Sequence, residues 1–293
     1  MQEKIVLGHN QRGLRCYQAM PKKPDLIVVG IHGMQEHALR YEWLAEKFAS
    51  NNIGFVMFDL RGHGKNILDN KPGFDDGDIF ENIVADYKLL ISDLKSKHKG
   101  VKLVVLGHSF GSFIAQRLVK DNDGAVDKFV ICGSSHMKNL LTGAGRVLAG
   151  LSRVFVGRES DAKLIEKISI RSYGKDFDDE NWLSRDYKVW EDYKNDPLCG
   201  CVFPVAFYTS MFKGVRGNYS RLNKKGKNAK IFIIAGTKDP VGNFGTGVEK
   251  LANFYKKQGY AVVLKLYEDA RHELYNEINK EEVFRDTLEF IKN

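Results

Sequence analysis

Five short runs that are apolar on both faces constrain this chain more than anything else in it. DLIVVGIHG (25–33), GFVMFDL (54–60), VKLVVLG (101–107), KFVICGSS (128–135) and KIFIIAG (230–236) are too short for buried helices and rich in β-branched residues. A strand with no polar face must be covered from both sides, as happens in a parallel sheet between two layers of helices. The intervening segments supply those helices. IFENIVADYKLLISDLKSKH places Ile79, Ile83, Tyr87, Leu90, Ile91 and Leu94 at helical spacing, and YEWLAEKFASN, FGSFIAQRLVK, 248–258 and 280–291 behave alike. AVVLKLYE (261–268) adds a sixth strand. The expected architecture is α/β, with a mostly parallel central sheet and helices on both faces.

The alternation stops between about 136 and 227, a stretch richer in aromatic residues and glycine that reads as helices and loops. We take it as a helical cap inserted between two sheet strands, so that the core has a first part at 1–135 and a second at 228–293. Two segments look pocket-forming. LLTGAGRVLAGLSRVF puts Leu141, Leu148, Leu151 and Phe155 near one helical face, and FPVAFYTSMF offers Phe203, Phe207, Tyr208, Met211 and Phe212. Such faces pack a cap on its core, and part of each can line an acyl tunnel; Leu148, Phe203, Phe207 and Met211 are the expected pocket residues.

At 293 residues, 43% hydrophobic and 28% charged, the composition is that of a globular protein with a large core. MQEKIVLGHNQRGLRC lacks the pattern of a signal peptide, and no apolar run approaches the ~20 residues of a membrane span. The cysteines, Cys16, Cys132, Cys199 and Cys201, form no CxxC pair, which suits a reducing cytoplasm. The net charge of +8 is local: 197–238 contains no Asp or Glu but eight Lys and Arg. That basic stretch, densest over 213–230, reads as a solvated connector or as a rim for transient contact with an anionic membrane surface. No recognition motif accompanies it, which argues against nucleic acid.

The strand VKLVVLG runs without a spacer into Gly107-His108-Ser109-Phe110-Gly111 and then into a helix. Reversing from strand to helix in two residues forces the central serine into a strained conformation with its side chain outward, and leaves no room for a Cβ at Gly107 or Gly111. A nucleophilic serine needs a base, and the base an orienting carboxylate. Asp239 and His272 each fall just beyond a strand end, in the order Ser…Asp…His; Asp269 competes with Asp239 but sits three residues before the histidine on one loop. The oxyanion donors are expected to be the backbone amides of Phe110 and, after the strand ending His32-Gly33, of Met34. His108 is expected to leave the turn on the far side, and His32, His63, Asp59 and Arg61 to fix loops. His37 and Glu36 lack a second ligand cluster, so neither a metal nor another cofactor is expected.

HGMQEHALRY (32–41), FDLRGHG (58–64), GHSFG, NDPLCG (195–200), GTKDP and YEDARHEL together resemble α/β-hydrolases of the monoacylglycerol lipase and lysophospholipase type, a group often labelled serine aminopeptidase-like. The resemblance spans nearly the whole chain and implies the α/β-hydrolase fold, with Ser109, Asp239 and His272 as triad and Met34 and Phe110 as oxyanion hole. It departs from the family at Lys65-Asn66, Ala38-Leu39, Phe110 and Ser112, positions that bear on substrate rather than on chemistry. The expected activity is hydrolysis of a monoacylglycerol, lysophospholipid or short-chain ester through an acyl-enzyme on Ser109. The alternatives are a peptidase of aminopeptidase type, for which the cap acids Asp178, Asp179, Glu180, Glu191 and Asp192 would have to bind an α-amine, and a ligand sensor on the same fold.

Overall fold

The computed structural model describes residues 1–138, 140–168 and 172–293, with side chains left out at 140–142. Eight strands form one sheet in the order β1-β2-β4-β3-β5-β6-β7-β8, where β1 is Gln2–Leu7, β2 Gly13–Ala19, β3 Leu26–Ile31, β4 Ile53–Phe58, β5 Lys102–His108, β6 Lys128–Cys132, β7 Lys230–Gly236 and β8 Ala261–Tyr267. From β4 to β8 every neighbouring pair is parallel, and β2 joins β4 antiparallel. This is the α/β-hydrolase arrangement.

The doubly apolar runs occupy the middle of the sheet because both of their faces are covered: β3, β4 and β6 are buried at every position. Helices α1 (Glu42–Ser50) and α9 (Lys280–Lys292) pack on one face, through Phe48 and Phe284. On the other face lie α2 (Ile79–Lys97), α3 (Phe110–Asp121) and α8 (Thr246–Lys257), around Tyr87, Ile114 and Leu251. The hairpin β1–β2 was not anticipated. Its outer strand, QEKIVL, is a sheet edge with Ile5 and Leu7 exposed, so its residues carry no burial pattern to read.

Between β6 and β7 the chain forms α4 (Leu140–Phe155), α5 (Lys163–Ile168), α6 (Tyr187–Asn195) and α7 (Val205–Gly217), joined by loops and one isolated bridge, Asp161 to Pro204. Of these, α6 and α7 share a cavity with the loops that follow the C-terminal ends of β3, β5, β7 and β8. α7 packs against α2 through Gly214, where an added Cβ would run into the Phe80 ring, and α4 packs on α7 with Gly145 against Phe212. No helix among the described residues is long and apolar enough to cross a membrane.

Candidate active site

Ser109 stands between β5 and α3 with φ 51° and ψ −120°, a conformation that costs an L-residue about 1–3 kcal/mol. The surroundings hold it there. Its amide donates to the Cys132 carbonyl (3.0 Å), and its own carbonyl accepts from the Ser112 amide (2.9 Å) and the Ser112 hydroxyl (2.5 Å). Ser112 Oγ in turn accepts from the Ser134 hydroxyl (2.6 Å), and Ser134 Oγ accepts from Gln116, so a buried polar network braces the turn from below. Sequence reasoning had seen Ser112 only as a departure from glycine.

The flanking glycines are sterically required. A Cβ at Gly111 would overlap the Ile31 carbonyl oxygen and lie 2.5 Å from that of His32, and one at Gly107 would overlap the Gly111 carbonyl. Because these obstacles are backbone, Gly111→Ala is expected to lower stability by about 3 kcal/mol or more, read as an earlier midpoint in urea unfolding.

His272 follows β8 and is buried. Its Nδ1 lies 2.9 Å from Asp239 Oδ1, and the same oxygen accepts from the Val241 amide at 2.9 Å. Burial pulls the imidazole pKa down, but the charge and hydrogen bond of Asp239, aided by Glu273 and Glu36, outweigh it and leave His272 raised. Its Nε2 is buried and has no hydrogen-bond partner among the described residues. Asp269 is exposed, and its amide bonds to Thr237 Oγ1. The structure therefore brings Asp239, and not Asp269, to the histidine.

Ser109 and His272 border one cavity of about 110 Å³, together with Gly33, Met34, Phe110 and Met211. Among the described residues, the Met34 and Phe110 amides have no acceptor, while the preceding Gly33 amide is taken by Glu36 Oε1 at 2.5 Å. Gly33 lies so close that a Cβ there would be 3.2 Å from Ser109 Cβ. Ser109, His272 and the two residues whose amides lack an acceptor thus border one small space, the set of groups that acyl transfer would call on.

The rest of the lining was only partly foreseen. Met211 is on the wall, but Phe203 and Phe207 sit behind it as packing: they contact each other (ring centroids 4.6 Å apart), and Phe207 meets the Phe110 ring at 5.1 Å. Helical spacing did not show that the face of Phe207 turns to the core, and Phe203 precedes α7 altogether. Leu148 packs against the same core, outside the cavity lining, and the Leu141 side chain lies outside the described residues. Tyr173, Trp182 and Tyr193 line the cavity from loops and α6, and Trp182 approaches His272 at 5.0 Å; no periodicity marks them. His108 differs from expectation, since its ring lies 4.7 Å from that of His272, where burial and the His272 charge press its pKa down to about 4.

The remaining polar residues fix loops. His32 Nε2 accepts from the Leu60 amide (2.9 Å), Asp59 accepts from the amides of Ala38 and Lys65 (both 2.8 Å), and Arg61 grips Asp86. His37, Asp196 and Cys199 bring one ligand-type atom each within 4.8 Å, a grouping invisible in sequence because cap and core both contribute. His37 Nε2 and Asp196 Oδ2 are directly hydrogen-bonded at 2.7 Å, and burial pushes the Cys199 thiol up, so the trio ties the cap to the loop after β3.

Fold and site geometry together define an α/β-hydrolase. A family model described as "Serine aminopeptidase, S33" matches residues 22–279, and the chain belongs to that family of hydrolases. It is 27% identical over 271 residues to a monoacylglycerol lipase of Mycolicibacterium smegmatis, covering 92% of this chain and 88% of that one. It is 26% identical over 274 residues to a monoglyceride lipase homolog of Monkeypox virus, covering 92% and 90%. A thermostable carboxyl esterase of Bacillus coagulans shares its fold, with a TM-score of 0.87 and 24% identity over 99% of this chain and 97% of that one.

Proposed function

We propose that this hydrolase cleaves carboxylic esters with an apolar acyl group, a monoacylglycerol, lysophospholipid or short-chain ester, through an acyl-enzyme on Ser109. The observation that carries this reading is the chemistry of the cavity wall. Cap residues Tyr173, Trp182, Leu183, Tyr208, Met211 and Phe212 are aromatic or apolar, and the lining carboxylates, Glu36 and Glu273, are both bound by Arg40. An aminopeptidase needs a carboxylate for the substrate's α-amine. None of the five cap acids expected to serve lines the cavity, and two of them are paired elsewhere, Asp179 with Arg271 and Asp192 with Lys188.

Ser109 Oγ attacks the ester carbonyl while His272 Nε2 takes its proton and passes it to the leaving alcohol. Asp239 holds the imidazole tautomer and stabilises its charged form. The amides of Met34 and Phe110 bind the oxyanion, and water then releases the acyl group by the reverse proton path. These steps use protein groups and water only. The 136–227 segment acts as the cap, and four unpaired cysteines suit a cytoplasmic setting.

Contact with a lipid surface belongs to the same reading, but its support lies on the cap. Lys213 is paired with Asp78, and Lys224–Asn228 with Lys230 lie at the N-terminal edge of the sheet, away from the cavity. Val147, Leu151, Val154 and Phe155 form an exposed apolar stripe on α4, flanked by Arg146 and Arg153.

A p-nitrophenyl ester series from C2 to C16, beside aminoacyl-amides, tests the proposal. The cavity is smaller than the ~150 Å³ that accommodates one benzene ring. Turnover of dissolved substrate is therefore expected to peak at short acyl chains, with longer ones accepted only if α4 and α7 part. Amide turnover above ester turnover would replace the ester reading with the peptidase.

A further inference from the structure

The proposed chemistry needs the loop carrying the Met34 amide and the loop carrying His272 to keep their spacing to within a fraction of an ångström. The sheet does not set that spacing directly. β3 and β8, which lead into these loops, are separated by β5, β6 and β7. One guanidinium crosses the gap. Arg40 donates through Nη1 to Glu36 Oε2 (2.7 Å) and Glu273 Oε1 (2.7 Å), and through Nη2 to Glu273 Oε2 (2.7 Å).

Each carboxylate is tied in turn to a working loop. Glu36 Oε1 accepts the Gly33 amide and the Tyr41 hydroxyl (2.8 Å), so the turn at Gly33 is held immediately before Met34, which lines the cavity with Ser109. Glu273 directly follows His272; its amide donates to the Leu183 carbonyl (2.7 Å), and its Oε2 also accepts from Asn276 (2.9 Å). Side-chain exposures of 11% for Arg40, 3% for Glu36 and 5% for Glu273 mean that solvent does not loosen the cluster. The Tyr193 ring covers the guanidinium at 5.1 Å.

We infer that Arg40, bridging Glu36 and Glu273, is a positioning residue that sets the Met34 donor against His272, an inference that rests on the ester-hydrolase reading. The planar fork is essential, because a point charge cannot hold two carboxylates on separate loops in one geometry. Glu273 has a second effect, since its charge lies close enough to His272 to favour the imidazolium.

The test compares wild type, Arg40→Lys and Glu273→Gln on p-nitrophenyl butyrate, with full kcat, KM and pH profiles and a melting curve for each. Arg40→Lys is expected to lower kcat about a hundredfold with KM within threefold, because a misplaced oxyanion donor is missed only in the transition state. Its phosphonylation by a fluorophosphonate, which also builds charge on oxygen, should slow in parallel. Glu273→Gln, which preserves shape, should move the acid limb of kcat/KM to lower pH, since losing a nearby negative charge lowers the His272 pKa. A purely structural role would reduce the amount of active enzyme and leave that limb in place. Wild-type kcat in Arg40→Lys, or an unmoved limb in Glu273→Gln, overturns the inference while the ester reading stands. If Arg40→Lys does not fold, Glu273→Gln, which weakens one arm of the bridge, decides through its kcat above the acid limb: a wild-type value overturns the inference and a fall with KM unchanged supports it. A wild-type protein without ester turnover overturns the functional reading and the positioning role with it.

Discussion

Ser109→Ala is expected to lower kcat on p-nitrophenyl butyrate by about a millionfold and to abolish labelling by a fluorophosphonate. The residual rate should remain about 10³ to 10⁴ above that in water, since the proposed oxyanion donors, the Met34 and Phe110 amides, and the apolar wall are left in place. The fold should survive, because the hydrogen bonds holding the turn run through the backbone of residue 109 and through Ser112. Alanine inherits the positive φ of 51° and the strain that goes with it. Ser109→Gly should be equally inactive yet more stable than Ser109→Ala, because glycine adopts that conformation without a Cβ penalty. This comparison separates the two roles of the position: activity follows the hydroxyl, stability follows the Cβ. Labelling that persists in Ser109→Ala would place the nucleophile on another residue.

The strands that carry the site were legible because burial on both faces removes polar residues from the sequence itself. β3 to β7 are all of this kind, and each chemical group follows one of them or β8: Met34 after β3, Ser109 after β5, Asp239 after β7, His272 after β8. A motif at a strand end has a fixed place in a parallel sheet, so sequence order translates directly into position. The cap has no such frame. Trp182 comes from irregular chain and Tyr173 from a four-residue 3-10 turn, where proximity depends on tertiary folding alone. Phe207 had the right spacing and the wrong inferred direction, since a helical period is the same whether the face meets a cavity or a core, and Phe203 precedes α7 altogether. The Arg40–Glu273 bridge joins residues 233 apart, a pairing that composition and periodicity cannot register.

Asp239→Asn tests the acid, and its expected size depends on one backbone amide. In a serine triad, asparagine at this position commonly presents its NH₂ group to the histidine, which then holds the wrong tautomer and loses about 10⁴ in kcat. Here Oδ1 accepts both His272 Nδ1 and the Val241 amide, each at 2.9 Å. An asparagine turned with its nitrogen at that site would set two donors against each other, so Val241 holds the oxygen toward His272 and preserves the working tautomer. The other group takes the place of Oδ2, which is buried and has no partner among the described residues. What is lost is the charge that stabilises the imidazolium. The expected fall in kcat is therefore about a thousandfold, equivalent to about 4 kcal/mol, and smaller than the loss from a tautomer switch. Removing that charge also lowers the His272 pKa, so the acid limb of the remaining activity should move to lower pH. Asp269→Asn, at an exposed position bonded through its backbone to Thr237, should stay within twofold of wild type. A larger loss in Asp269→Asn than in Asp239→Asn would reassign the acid, and a full 10⁴ loss in Asp239→Asn would show that Val241 does not hold the oxygen in place.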